Sequence, residues 1–192
     1  YYEPNDYEEI MKEAECAPVI EPLSSEEYLE RLKGAFYGRC AAVILGKPLE
    51  MGMDRLQIKE YLESVGEYPL NDFVSAYSEK LDKRLREDCI YSTKGNIKFA
   101  QPDDDINYTL LALNLAENHP NGFSSADVGW NWLDNISYHW CWCASRQAYF
   151  NMVSLDDTKD IDEQIKEIPY KLNPWRECID GQIRTDMWGY IH

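Results

Sequence analysis

Three consecutive carboxylates, Asp103-Asp104-Asp105, follow Pro102 directly and lead into a run where Tyr108, Leu111, Ala112 and Leu115 recur at three- and four-residue spacing. That spacing marks one face of an α-helix, and Pro102 supplies the break before it, so the acids sit at a helix N-terminus. One acid can cap the helix, and a second is favourable near the positive end of its dipole. A third adjacent negative charge repels both, and a hard divalent cation such as Mg²⁺ or Ca²⁺ would neutralise the cluster through carboxylate oxygens. On the residues alone, a cap and a metal site account for the cluster equally well.

Helical spacing also dominates elsewhere and predicts an all-α chain. Ser24-Ser25-Glu26-Glu27 has the S-x-x-E spacing of a capping box, which predicts a long helix from there to about Leu45. On it, Gly34, Gly38 and Ala42 fall at four-residue steps beside Ala35 and Ala41, giving a face almost without side-chain bulk. Glycine costs helix stability, so tight packing against another helix is the expected reason for that face. The Gly46-Lys47-Pro48-Leu49-Glu50-Met51-Gly52 turn follows, with Glu50 projecting from it. Further helical patterns cover residues 56–65 and 73–85, and Ser124-Ser125-Ala126-Asp127 reads as another helix start. A short helix is expected from Tyr7, Ile10, Met11 and Ala14.

Residues 130–152 hold Trp130, Trp132, Tyr138, Trp140, Trp142, Tyr149 and Phe150. Core and inter-helix packing is the expected use of so much apolar area, with a ring-stacking cleft wall as the minority alternative. His139 is read as a packed or hydrogen-bonded residue. Residues 156–167 match an EF-hand loop in length and at both acidic ends, but Ile161 stands where the sharp turn needs Gly, so this is read as a solvated acidic loop.

The chain has 192 residues, enough for one domain with a sizeable core. An acidic extension is expected over residues 1–22 and the domain over 23–192. The net charge of −16, with no basic cluster, argues against nucleic acid or an anionic membrane as partner. Six cysteines without a C-x-x-C pair read as reduced thiols of a cytoplasmic protein and make zinc an unattractive cofactor. The last residues lie within an apolar and aromatic stretch, which predicts a chain truncated at its C-terminus.

Three stretches in this order resemble the ADP-ribosylglycohydrolase family: Gly34-Ala35-Phe36-Tyr37-Gly38 through Gly46-Lys47-Pro48-Leu49-Glu50; Asp103-Asp104-Asp105-Ile106-Asn107-Tyr108-Thr109; and Gly181-Gln182-Ile183-Arg184-Thr185-Asp186-Met187-Trp188-Gly189-Tyr190. The resemblance implies a compact helical fold, of which this chain is the N-terminal part, and a cleft holding two Mg²⁺ ions. It implies hydrolysis of the N- or O-glycosidic bond of an ADP-ribosylated protein or a small ribosylated molecule. Asp103, Asp104 and Asp105 match the family's first metal motif and would supply half of the ligands. Glu50 matches a loop acid that is catalytic in some members. Gly181, Arg184 and Asp186 fall in a loop near the bound ribose, with Arg184 buttressing the cleft and Asp186 making a polar contact.

The chain departs from the family pattern at three places. Asp103 replaces a hydroxyl residue, Ile106 replaces a threonine and cannot ligate, and Ala42-Val43 stands where the family commonly has Gly-Asp. The family's second acidic motif, near its C-terminus, has no counterpart after Gly189. These departures leave open a second expectation, a non-catalytic ADP-ribose or nucleotide-binding protein on the same fold.

Overall fold

The computed structural model describes residues 2, 4, 6–14 and 21–191, and their regular secondary structure is helical apart from one two-residue ladder. The chain divides into two units, Tyr1–Gly34 and Ala35–His192. In the first, α1 (Tyr7–Glu13) is capped by Asp6, whose carboxylate accepts from the amides of Glu8 and Glu9. None of its residues is buried. The second helix, α2 (Ser25–Gly46), starts where the capping box places it. Ser24 Oγ accepts the Glu27 amide while Glu27 accepts the Ser24 amide at 3.1 Å.

The second unit is built from short helices around three small cores. A 3₁₀ turn, Lys47–Leu49, ends α2 and leads to α3 (Arg55–Ser64), which carries a full capping box between Asp54 and Gln57. Leu49, Tyr61, Leu62, Val74 and Leu85 form the first core. Residues 73–85, expected as a helix, instead fold back on themselves. The strands β1 (Tyr77–Ser78) and β2 (Lys83–Arg84) pair antiparallel, Tyr77 with Arg84 and Ser78 with Lys83. Asp82, at φ 46°, takes the left-handed conformation that reverses the chain. Val74 and Leu85 mimic helical spacing because both reach the same core from opposite ends of this turn.

The helix α4 (Asp104–Asn118) is the centre of the unit and packs on α5 (Ser125–Asn135), on the 3₁₀ turn Ile179–Arg184 and on α8 (Asp186–Ile191). Tyr108, Leu111, Ile136 and Cys141 form the second core, flanked by Trp132, Tyr149 and Ile183. The third joins α6 (Cys143–Val153) to α7 (Ile161–Glu167) through Met152, Ile165 and Ile168. Close helix packing is found here, since a Cβ on Gly129 of α5 would stand 2.4 Å from Met152 Cε. At Gly34 and Gly38 an added Cβ meets nothing within 4 Å. Among the described residues, the expected tight helix packing is therefore not found at these two glycines.

The aromatic stretch divides its labour. Trp132 packs at a tilt against Tyr108, ring centroids 5.2 Å apart, and Tyr149 meets Tyr138, whereas Trp130, Trp140, Trp142 and Phe150 are about half exposed. His139 is exposed beside the Tyr138 ring. In the acidic loop, Asp156 accepts from the amide and hydroxyl of Thr158 and pairs with Lys159, and Asp160 caps α7. These carboxylates are engaged locally, as a solvated loop requires. Among the described residues, Cys40, Cys89, Cys141, Cys143 and Cys178 are unpaired thiols, and no helix is long and apolar enough to cross a membrane. Cys16 lies outside the described residues.

Candidate functional site

A cleft of about 890 Å³ opens in the second unit. One wall is the small-residue face of α2, with Gly38, Ala42, Val43 and Gly46, continuing through Lys47 and Leu49 to Glu50. The three acids Asp103, Asp104 and Asp105 form its acidic corner, and the Ile179–Arg184 turn contributes Ile179, Asp180, Gln182 and Ile183. The bare face thus forms an open wall of the cleft.

Asp103 is the N-cap of α4, in extended conformation, and its Oδ1 accepts the Asp105 amide at 3.1 Å. Its Oδ2 takes the Lys47 ammonium at 2.6 Å, and the same ammonium donates to the Pro102 carbonyl at 2.9 Å. Capping and clustering therefore coexist at this helix start. The three carboxylates each bring an oxygen within 4.8 Å of the others. Burial first, and then the Asp103 and Asp105 charges, push the Asp104 carboxyl up to about 6. Asp105 is raised for the same leading reason, with Asp103 next, while Arg39 and Lys47 pull it down. Glu50 is raised by its partial burial and by the facing Asp103 and Asp105 charges.

A set of hard oxygen donors at a helix start, only one of them neutralised by Lys47, fits a divalent cation such as Mg²⁺. Asp104 and Asp105 are the donors best placed to hold one, because Asp103 is already engaged at both oxygens. Ile106 is buried and only packs, and Val43 lines the cleft as a bare apolar wall. Neither supplies the polar group that the family pattern would place there.

No family model, curated protein or solved structure matches this chain. The chemistry of the cleft accordingly rests on its own geometry.

Of the residues picked from the third stretch, Arg184 and Asp186 spend their charges on protein partners. Asp186 accepts from Thr109 Oγ1 at 3.0 and 3.2 Å and from Tyr190 at 3.0 Å, and it pairs with the Arg39 guanidinium. Arg39 also donates to the Asp105 carbonyl at 2.8 Å, so this hub ties α2 and α8 to the first turn of α4. Arg184 lies over the rings of Tyr108 and Trp132, 4.7 and 5.0 Å from their centroids, and bonds Ser145 Oγ. Gly181 is exposed, with open space around its Cα.

The acid that this turn sends into the cleft is Asp180, which sequence reasoning passed over. Its role depends on Ser145, distant in sequence, whose amide and hydroxyl both donate to Asp180 Oδ2, at 3.0 and 2.8 Å. The one local signal was its place in the Ile179-Asp180-Gly181 turn. None of the tryptophans lines this cleft; Trp140 instead borders a separate hollow of about 290 Å³ beside Leu110 and Asn114.

Proposed function

We propose that this chain has an ADP-ribosylglycohydrolase-like fold and hydrolyses the N- or O-glycosidic bond of an ADP-ribosylated or related ribosylated substrate, assisted by Mg²⁺. The observation that carries the reading is convergence: residues 38–50, 103–105 and 179–183, far apart in sequence, wall one acidic cleft. Its volume lies within the range of small-molecule sites, about 300–1,000 Å³. The first two segments are those that carry the family resemblance; of the third stretch, Gln182, Ile183 and Tyr190 line the cleft, whereas Gly181, Arg184 and Asp186 do not.

A glycosidic bond breaks through an oxocarbenium-like transition state, which needs a group to manage a proton and negative charge to face the ribose. Glu50 supports the first role, since partial burial and its acidic neighbours raise its proton affinity, the direction a general acid needs. Asp104 and Asp105 would hold a cation, which when bound supplies Lewis-acid polarisation and a more acidic water. The small-residue wall of α2 admits the sugar closely, and the Arg39 and Asp186 hub fixes the backbone from which the acids project.

Incubation with ADP-ribosylated peptides and with simple N- and O-ribosides, with and without Mg²⁺, tests the reading. Mg²⁺-dependent release of the ribosyl group supports it; turnover that ignores the metal, or none on any riboside, rejects it. A second reading, a binding protein without turnover, draws on Val43, Ile106 and the Lys47 ammonium seated on Asp103. Calorimetry with ADP-ribose separates the two, because binding without turnover that Asp104→Ala leaves unchanged favours the second.

A further inference from the structure

We infer that Asp180 is a sugar-binding residue of this cleft, a fixed carboxylate that accepts a hydroxyl of the ribose carrying the scissile bond. This rests on the reading of the cleft as a ribosyl-hydrolase site.

The inference comes from how Asp180 is held. The donors on Oδ2, the Ser145 amide and hydroxyl, belong to the first turn of α6 and come from a buried residue. The Arg184 guanidinium stands 3.6 Å from the same oxygen, and Arg184 also bonds Ser145 Oγ. Arg184 is in turn seated over Tyr108 and Trp132 in the second core. One oxygen of Asp180 is thus anchored to the core, while Oδ1 has no hydrogen-bond partner among the described residues. The side chain lines the cleft and is mostly enclosed.

An acid anchored in this way has lost its freedom to turn to water, so a ligand that meets it meets a prepaid geometry. Asp180 also adds to the negative charge felt by Asp105. Two carboxylates sharing one cleft favour a donor between them, and a sugar offers hydroxyl hydrogens there without bringing a further anion. The carboxylates of this wall disfavour a ligand phosphate beside Asp180, so the assignment puts the distal ribose of a bound nucleotide, not its pyrophosphate, toward the Ile179–Arg184 turn.

Calorimetric titrations of the full chain with ADP-ribose, with ADP, which lacks the distal ribose, and with Mg²⁺ alone test this, for wild type, Asp180→Asn and Ser145→Ala. Loss of a charge-assisted hydrogen bond predicts that Asp180→Asn weakens ADP-ribose by at least about tenfold and ADP by less than about twofold. Mg²⁺ affinity stays within about threefold, as expected for a group that is not a cation ligand. Ser145→Ala keeps the amide donor and weakens ADP-ribose by about threefold, which preserves a readout should Asp180→Asn not fold. Equal losses for ADP-ribose and ADP, an unchanged ADP-ribose affinity, or a tenfold loss of Mg²⁺ affinity would each overturn the assignment of Asp180 alone. Failure of wild type to bind ADP-ribose at all would remove the hydrolase reading and this inference together.

Discussion

The ammonium of Lys47 lies 2.6 Å from Oδ2 of Asp103, and both side chains are nearly enclosed. The other oxygen of Asp103 is taken by the Asp105 amide. Three negative charges against one positive leave two, the charge that a single divalent cation neutralises. Lys47 follows directly on α2 and is locked by the buried Pro48 and Leu49 after it, so the counter-charge is built into the wall rather than recruited.

Replacing Lys47 with Met keeps the stem and deletes the charge, leaving Asp103 enclosed without its partner. Breaking an enclosed ion pair on one side costs about 1–3 kcal/mol here, at the lower end for such pairs because water still reaches the cleft. Thermal melts of Lys47→Met should show that loss in the absence of Mg²⁺ and recover more of it on adding Mg²⁺ than wild type does. A Tm lowered equally with and without the cation would mean that the ammonium and the metal do not share a charge.

The carboxyl of Asp104 is pushed up to about 6, against an ordinary value near 3.8, chiefly by burial and then by Asp103 and Asp105. The folded state therefore binds this proton more tightly than the unfolded chain. Its stabilising effect is complete below about 3.8 and is lost as pH rises through about 6. Discounted for the solvent that reaches the group, the cost of ionising it in the fold is about 1–2 kcal/mol. Asp104→Asn should accordingly be more stable than wild type at pH 7.5 without metal, and the difference should shrink toward pH 4. Urea unfolding at both pH values measures it, and saturating Mg²⁺ should reverse the order at pH 7.5.

Arg39 and Asp186 form the hub that joins α2, α4 and α8, with Thr109 and Tyr190 completing the acid's partners. Asp186→Asn keeps the shape but strands the guanidinium, and about 2–4 kcal/mol of stability should go with it. Thr109→Val removes one neutral donor and should cost about 1 kcal/mol. A double-mutant cycle between Arg39→Met and Asp186→Asn, followed by urea unfolding, should give a coupling above about 1 kcal/mol. A coupling near zero would show that the pair does not hold the elements together.

What could be read from the residues was the chemistry that acts over one turn of chain. Ser24, Asp103 and Ser124 were read as helix starts and each caps a helix, because a short oxygen-bearing side chain meets the free amides two or three residues on; Asp54 and Asp160 cap theirs in the same way but were not singled out. The all-α class follows from such signals. Residues 73–85 were misread because Val74 and Leu85 enter one core from the two ends of a reversed chain, and their spacing alone does not distinguish that from a helix. In the cleft, the three acids stood out as a local motif, whereas Glu50 read locally as an ordinary loop acid and was singled out only by the family resemblance. Asp180 was not, since what makes it a candidate is the Ser145 amide and hydroxyl and the Arg184 seat over two rings, all supplied by distant parts of the fold.

Two glycines separate packing from access. Gly129 on α5 sits against Met152, and a Cβ there would lie 2.4 and 2.5 Å from Cε and Sδ of that side chain. Met152 is almost fully enclosed in the third core, so it has little room to yield, and Gly129→Ala should cost about 1–3 kcal/mol despite alanine's better helix propensity. Gly38 on α2 faces the cleft, where an added Cβ meets nothing within 4 Å. Gly38→Ala should therefore gain up to about 1 kcal/mol from helix propensity alone. If the bare wall exists to admit a ligand, the same substitution should weaken ADP-ribose binding, so that stability and affinity move in opposite directions. Thermal melts paired with calorimetry on the two variants decide it: a Gly38→Ala protein that is more stable and binds ADP-ribose as tightly as wild type would show that the small face of α2 serves neither packing nor substrate.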